Sequence, residues 1–287
     1  MFWGGSRLIA TELEKKVVEL EALALRLRFH VIDMVHEAQS GHISPGLSAA
    51  DIMTALYFEV MKIDPKNPLW KDRDRFVLSK GHSAPVLYAA LAMRGYYPIE
   101  QLKTLRRLGS PLQGHPVAGI LPGVDATTGS LGIGACQATG MALEGRMLKK
   151  RYDIWALLGD GEITEGAIWE TAAAAAKYRL GNLVFIIDRN GLQTDGPSEI
   201  IMPMEPIDKK FEAFNWKVMK MDGHNMAAVV ETLQAARAFR DGPVCIIAKT
   251  IKGKGVGFME GTLEWHSKPP NDEQYAAAVA ELYGKKS

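Results

Sequence analysis

The stretch Asp153-Ile154-Trp155-Ala156-Leu157-Leu158-Gly159-Asp160-Gly161-Glu162 carries an unbroken apolar run straight into Gly-Asp-Gly. Apolar residues without alternation are what a strand buried on both faces requires, and such strands belong to parallel sheets covered by helices. Three more runs share this character, at residues 183–188, 216–221 and 244–249. Helical patterns lie between them at 163–178, 206–214 and 226–239, so strand and helix alternate as in βαβ units, whose crossovers are right-handed. The fold class expected is α/β, a doubly wound, mostly parallel sheet with helices on both faces.

Upstream, Leu13, Val17, Leu20, Leu23, Leu27, Val31 and Val35 recur at steps of three and four, which predicts a long amphipathic helix over 11–36. Further helices are predicted at 48–61, with Ser48 as N-cap, and at 83–94, 99–107 and 132–149, separated by Gly- and Pro-bearing loops. With no internal repeat and no low-complexity linker, one domain is expected over 1–287, residues 1–12 forming an N-terminal extension.

Composition narrows the partners. The 287 residues are 47% hydrophobic, enough for a substantial core, which excludes a disordered chain. Lys plus Arg number 34 against 33 Asp plus Glu, a net charge of +1, so no broad attraction to nucleic acid or anionic lipid is expected. Any anionic ligand must be caught locally. Cys136 and Cys245 are the only cysteines, which argues against a disulfide framework or a thiolate metal site. No apolar stretch approaches a membrane span and the N-terminus lacks a secretory pattern, so a cytoplasmic protein is expected.

The chemistry concentrates at the end of the quoted stretch. In an open α/β sheet, ligands bind beyond the carboxyl ends of the strands. Gly161 permits close backbone approach, and the N–H groups opening the next helix suit a phosphate. Asp160 can give Mg²⁺ one hard oxygen. The next strand ends in Asp188-Arg189-Asn190-Gly191-Leu192, and a right-handed crossover can bring the Asn190 side-chain oxygen and the Leu192 carbonyl beside it.

Two other glycine-bearing stretches read poorly as nucleotide loops. Gly132-x-Gly134 has Gln137 where a dinucleotide fingerprint needs its third glycine, and no strand precedes it. Lys252-Gly253-Lys254-Gly255-Val256-Gly257 lacks the Gly-Lys-Ser/Thr ending of a P-loop and reads as a mobile loop. The alanine run 172–176 is a strong helix former that allows close packing, and Met202, Met204, Met219 and Met221 read as core and loop filling. Among the histidines, His30 and His36 fall in the amphipathic helix and read as packing or surface, while His224 fits a helix-capping loop.

Strand, Gly-Asp-Gly, helix, strand, Asn is the pattern of thiamine-diphosphate enzymes, and the chain resembles transketolase in its N-terminal, diphosphate-binding domain. The similarity runs from about Leu13 to the C-terminus. It includes Ser40-Gly41-His42, Ser79-Lys80-Gly81-His82, Gly114-His115-Pro116, Thr127-Thr128-Gly129-Ser130-Leu131-Gly132 and Glu165-Gly166.

The resemblance implies roles residue by residue. Asp160, Asn190 and the Leu192 carbonyl would hold Mg²⁺, or another divalent cation such as Ca²⁺ or Mn²⁺. His82, Gly161 and His266 would contact the diphosphate, with Glu162 in the same cofactor-binding set, and Gly129 and Leu131 would pack beside the cofactor's ring region. His42 and His115 would hydrogen-bond the donor's hydroxyl and carbonyl groups, with His82 and His266 near that channel, and Glu165 would lie near a subunit interface. Imidazoles suit such contacts because they donate and accept near neutral pH. Moving a two-carbon ketol unit needs a stabilised carbanion, which side chains supply poorly and thiamine supplies well.

The resemblance also implies an assembly. Full transketolases continue through a pyrimidine-binding and a C-terminal domain, so the chain is expected to be the N-terminal subunit of a split transketolase. It would act with a separate C-terminal subunit, as α2β2, on sugar phosphates of the pentose phosphate pathway. Neighbouring readings are a deoxyxylulose-phosphate-synthase-like enzyme, a 2-oxoacid dehydrogenase component, an unusual-sugar transketolase, or a non-catalytic regulatory subunit retaining the fold. Two departures from the family pattern stand out: no glycine follows His266, and Arg189 stands where a second Asn is common.

Overall fold

A computed structural model of the chain describes residues 4–284, with side chains from residue 14 onward. Five parallel strands form one sheet in the order β1-β2-β3-β5-β4: β1 (Arg75–Leu78), β2 (Ile154–Gly159), β3 (Leu183–Arg189), β4 (Lys217–Asp222) and β5 (Val244–Lys249). Four of them match the apolar runs to within a residue or two. The fifth, β1, has no counterpart among those runs. Its apolar part is only Phe76-Val77-Leu78 between Arg75 and Ser79, too short to stand out as a run, yet it pairs along its length with β2.

The unbroken apolar runs are explained by two cores, one on each face of the sheet. Trp155 and Leu157 of β2 with Val184 and Ile186 of β3 face one core. Ile154, Ala156 and Leu158 with Leu183, Phe185 and Ile187 face the other. Side chains of a strand alternate between faces, so covering both faces makes every position apolar. On the first face lie α1 (Gly4–Ala38), α2 (Ser44–Ala55), α3 (Ala84–Arg94), α8 (Met226–Ala238) and α9 (Asp272–Gly284). On the second lie α4 (Ile133–Met147), α5 (Gly166–Lys177) and α7 (Ile207–Ala213), with the short α6 (Ser198–Ile201) in the loop after β3.

Several element boundaries differ from expectation for visible reasons. Helix α2 starts at Ser44 with Pro45 in its first turn, so Ser48 is inside the helix and is not its cap. The Ser48 hydroxyl instead donates to the Pro45 carbonyl at 3.2 Å and to Asp188 Oδ2 at 2.6 Å. The last part of the predicted 48–61 helix is a π-turn at Leu56–Val60, and the predicted 99–107 helix shortens to a 3₁₀ segment, Ile99–Thr104. Of the expected N-terminal extension, residues 1–3 lie outside the described residues, and the rest opens α1. No helix among the described residues is long and apolar enough to cross a membrane.

Candidate active site

The carboxyl ends of β2, β3 and β5 open onto one cavity of about 400 Å³. The strand order explains the grouping, because β4 lies outside β5 and leaves the loop after β5 next to the loop after β3. His42, His82, Gly129, Leu131, Asp160, Gly161, Glu162, Glu165, Asn190, Leu192 and His266 all line this space. These positions span more than 220 residues of sequence.

Two glycines make that convergence possible. A Cβ on Gly81 would lie 2.6 Å from Thr128 Oγ1 and 2.8 Å from the Gly129 nitrogen, so the backbones of the two loops meet only with hydrogen at this position. Gly129 has φ +150°, and a Cβ there would press on the His115 ring at 3.0 Å. His115 therefore stands one layer out, behind Gly129, and is not part of the cavity wall that the other three histidines line.

His42, His82 and His266 form a triangle, with ring centroids 5.1, 5.1 and 5.4 Å apart. Burial, then the Lys80 charge, pushes His82 down to about 2. Burial with Arg106 lowers His42 to about 4, and burial with Lys252 lowers His266 to about 3. His115 is also lowered, by burial and then Arg106. All four imidazoles are therefore neutral at pH 7, each with one donor and one acceptor. Among buried polar atoms without a partner are His42 Nδ1, His266 Nδ1 and Gln193 Nε2, all on residues of the cavity wall. A polar ligand in the cavity would satisfy them.

Asp160 is 4% exposed. Its Oδ2 accepts from the Gly191 N–H at 2.6 Å, the Ser198 hydroxyl at 3.2 Å and the Arg189 guanidinium at 3.3 Å. Burial, then the Asp188 charge, raises its carboxyl above the usual range. A bound cation would oppose that rise. Asn190 Oδ1 accepts from the Leu192 N–H at 3.1 Å, which holds the two residues in one turn. Among the described residues no group of three or more His, Cys, Asp or Glu is placed to hold a metal ion, so a metal here needs amide and carbonyl oxygens beside Asp160. Such an oxygen-rich set suits a hard divalent ion that keeps water and phosphate ligands.

Glu162 lines the wall, but its carboxylate is already engaged. Oε1 accepts from the Ser79 hydroxyl and from the Gly132 N–H at 2.9 Å, and Oε2 accepts from the Gly159 N–H at 3.0 Å. Its place is to clamp the Gly-Asp-Gly turn to the loops before α3 and α4. Glu165 is exposed at the rim, immediately before α5.

Lys252 is the residue that sequence reasoning missed. It is 1% exposed, its Nζ donates to the Gln193 carbonyl at 3.1 Å and the Leu192 carbonyl at 3.4 Å, and burial pulls it down to about 8. The Lys252 ammonium thus donates to the carbonyl that the resemblance assigns to a metal. The available signal was position: Lys252 follows an apolar strand at the carboxyl edge of the sheet. Gln193, Thr194 and Asp195 also line the wall, with no motif to announce them. Lys80, itself part of the wall, forms an ion pair with the fully buried Asp188, which also accepts from Thr250 and Ser48.

His224 is not part of the wall. Its Nδ1 lies 2.8 Å from Asp51 Oδ2, while Asn225 caps α8 by accepting from the Ala228 N–H at 3.1 Å. His36 packs on Tyr275, ring centroids 4.2 Å apart, and pairs with Asp272. The Gly134 backbone packs against Ser79, where a Cβ would fall 2.6 Å from Ser79 Cα, a packing role for the sequence Gly132-x-Gly134.

Comparisons with known proteins agree with this geometry. The family described as transketolase, thiamine diphosphate binding domain, matches residues 20–286. The chain is 43% identical over 270 residues to the 6-deoxy-6-sulfo-D-fructose transketolase subunit SqwG of Clostridium sp., covering 94% of this chain and 98% of that protein. It is 41% identical over 267 residues to an apulose-4-phosphate transketolase subunit of Phocaeicola vulgatus, covering 93% and 95%. Among solved structures, transketolase from Leishmania mexicana superposes with a TM-score of 0.88 at 31% identity, over 92% of this chain and 41% of that one. The chain thus spans about two fifths of that transketolase but nearly all of the two subunit relatives. On these matches and this site, the chain belongs to the transketolase family, as its thiamine-diphosphate-binding part.

Proposed function

We propose that the chain is the N-terminal, cofactor-binding subunit of a two-chain transketolase, which moves a two-carbon ketol unit from a ketose donor to an aldose acceptor. One observation carries this reading: three neutral imidazoles, a buried carboxylate and a pair of carbonyls that accept from the Lys252 ammonium share one cavity at the carboxyl edge of the sheet. Asp160, Asn190 and the Leu192 carbonyl would hold Mg²⁺ or a similar divalent ion. The Gly161 backbone, His82, His266 and Lys252 would hold the diphosphate, and Gly129 and Leu131 would flank the ring region. Bound thiamine diphosphate supplies the electron sink for the carbanion that ketol transfer requires.

This chain's own groups do the rest. Neutral His42 and His266 give and take hydrogen bonds with the donor's hydroxyl and carbonyl groups, and His115 acts from behind Gly129. Their lowered basicity keeps each tautomer available at neutral pH, where a charged imidazole would only donate. Glu165 at the rim is offered to a neighbouring subunit.

The relatives named as subunits support a separate partner carrying the remaining domains. Their names specify a sulfo-fructose and apulose-4-phosphate, so the donor is proposed as a ketose bearing a terminal phosphate or sulfonate, without restriction to the pentose phosphate pathway. Residues 1–287 are taken as one such binding domain within a cytoplasmic α2β2 assembly, a setting that the free Cys136 and Cys245 suit.

The test combines the purified chain with its candidate C-terminal subunit, Mg²⁺ and thiamine diphosphate, and follows transfer from ketose phosphates and sulfonates to aldose acceptors. Activity is expected only in the mixture. Full activity from the chain alone would defeat the two-chain reading, and no cofactor-dependent activity in any pairing would defeat the catalytic one.

A further inference from the structure

We propose that Arg189 is a resident counter-cation of Asp160 that weakens capture of a divalent ion at this site. The inference rests on the assignment of Asp160 as a metal ligand and concerns what this chain has added beside it. Arg189 is the last residue of β3, directly before Asn190. Its Nη1 reaches Asp160 Oδ2 at 3.3 Å, its Nη2 reaches Glu199 at 3.2 Å, and its Nε reaches Glu205 at 2.9 Å. The guanidinium is thus held from behind by two partly exposed carboxylates and directed at the one carboxylate of the proposed ligand set.

Three features make this contact consequential. First, Asp160 is buried, so the interaction is poorly screened compared with a surface pair. Second, arginine stays protonated at any pH the protein survives, so the charge cannot be shed when the ion arrives. Third, Asp160 Oδ2 already accepts from the Gly191 N–H and the Ser198 hydroxyl, so the guanidinium adds a charged donor to an oxygen with neutral donors of its own. A divalent ion must bind the same carboxylate against that fixed charge. A neutral side chain at this position would leave the Asp160 charge to the ion.

Two of the three partners of Arg189 are exposed carboxylates whose ion pairs contribute little, and the melting temperatures read the cost of losing the third, Asp160. Substitution is therefore informative about binding.

The experiment titrates the purified chain with Mn²⁺ alone and measures free Mn²⁺ by electron paramagnetic resonance, with melting temperatures recorded for every variant. Arg189→Gln is expected to tighten Mn²⁺ by about three- to tenfold, the scale of a unit charge removed from a partly screened site. Arg189→Lys, which keeps the charge, is expected to stay within about twofold of the native chain. Unchanged or weaker binding in Arg189→Gln, or tightening by Arg189→Lys equal to that of Arg189→Gln, overturns the inference. Arg189→Met provides a second neutral variant should Arg189→Gln fail to fold. Asp160→Asn tests the underlying assignment: if Mn²⁺ binding survives it, the metal site itself is wrong. Loss of binding in Asp160→Asn without tightening in Arg189→Gln rejects the role of Arg189 alone.

Discussion

His224 Nε2 accepts the backbone N–H of Ile251 at 2.8 Å, one residue before the lysine that lines the cavity. Since Nε2 accepts, the ring's proton is on Nδ1, which donates to Asp51 at 2.8 Å. Asp51 in turn takes two bonds from Arg28, so α1, α2, the loop before α8 and the loop after β5 are joined in one chain of contacts.

This predicts a positioning role for His224. His224→Ala removes the acceptor of the Ile251 N–H and one partner of a buried carboxylate, at a cost of about 1–3 kcal/mol in stability. The loop that carries Lys252 loosens, and thiamine diphosphate affinity should fall by about three- to tenfold. His224→Gln, which can still accept from Ile251, should recover part of the affinity. Calorimetric binding at saturating Mg²⁺ reads both, and equal affinity in the native and Ala chains would show that the loop is held without His224.

The buried histidines predict an acid limit. Unfolded, each imidazole takes a proton near pH 6.5, whereas folded His42, His266 and His82 resist until about 4, 3 and 2. Between these limits the unfolded state binds more protons, so stability falls as pH drops below about 6.5. Asp51 acts lower down. Burial raises its carboxyl, but Arg28 and His224 more than offset this and hold it at about 2, so its contribution is present above 3.8 and lost as pH falls toward 2. Melting temperature should therefore decline from pH 6.5 to 4.5. A His82→Gln, His266→Gln double variant should flatten that part of the profile, and an unaltered slope would assign it to other groups.

Much of this site was legible because its residues end apolar strands or sit in glycine-bearing loops. Asp160 and Asn190 follow such strands and His42, His82 and His115 sit beside glycines, whereas His266 is marked by the resemblance alone, and the same reading found four of the five strands. What escaped depends on strand order. Nothing local in Lys252-Gly253-Lys254 says that β5 inserts between β3 and β4, and only that insertion puts Lys252 against Leu192. The Asp51–His224 contact escaped for the same reason, since its partners are 173 residues apart. Glu162 lines the cavity, but the engagement of its carboxylate by Ser79 depends on β1, too short to be seen as a run.

The Lys80–Asp188 pair makes a stability prediction. Both side chains are within 1% of full burial, and Lys80 also donates to the Pro45 carbonyl at 2.8 Å. Asp188→Ala leaves a buried ammonium without its counter-charge and the Thr250 hydroxyl without its acceptor, which should cost about 3–5 kcal/mol. Lys80→Met with Asp188→Leu removes both charges and should cost clearly less than Asp188→Ala alone. Urea unfolding of the set checks this; a double variant as unstable as the single one would mean that packing, not charge, dominates.

Two glycine-to-alanine changes separate backbone approach from helix propensity. At Gly81 the new methyl would fall 2.8 Å from the Gly129 nitrogen and from the Thr128 carbonyl carbon, atoms of a backbone that cannot swing aside like a side chain. The loop carrying His82 must then move away from the loop carrying Gly129, at about 1–3 kcal/mol, and cofactor affinity should fall with it. At Gly140, inside α4, a methyl meets nothing within 4 Å. There alanine should stabilise the chain by up to about 1 kcal/mol through helix propensity. Thermal melts with and without thiamine diphosphate distinguish the two, because Gly81→Ala should lower both the melting temperature and its rise on adding cofactor, whereas Gly140→Ala should leave that rise intact. A normal cofactor-induced rise in Gly81→Ala would mean that the two loops can separate without disturbing the site.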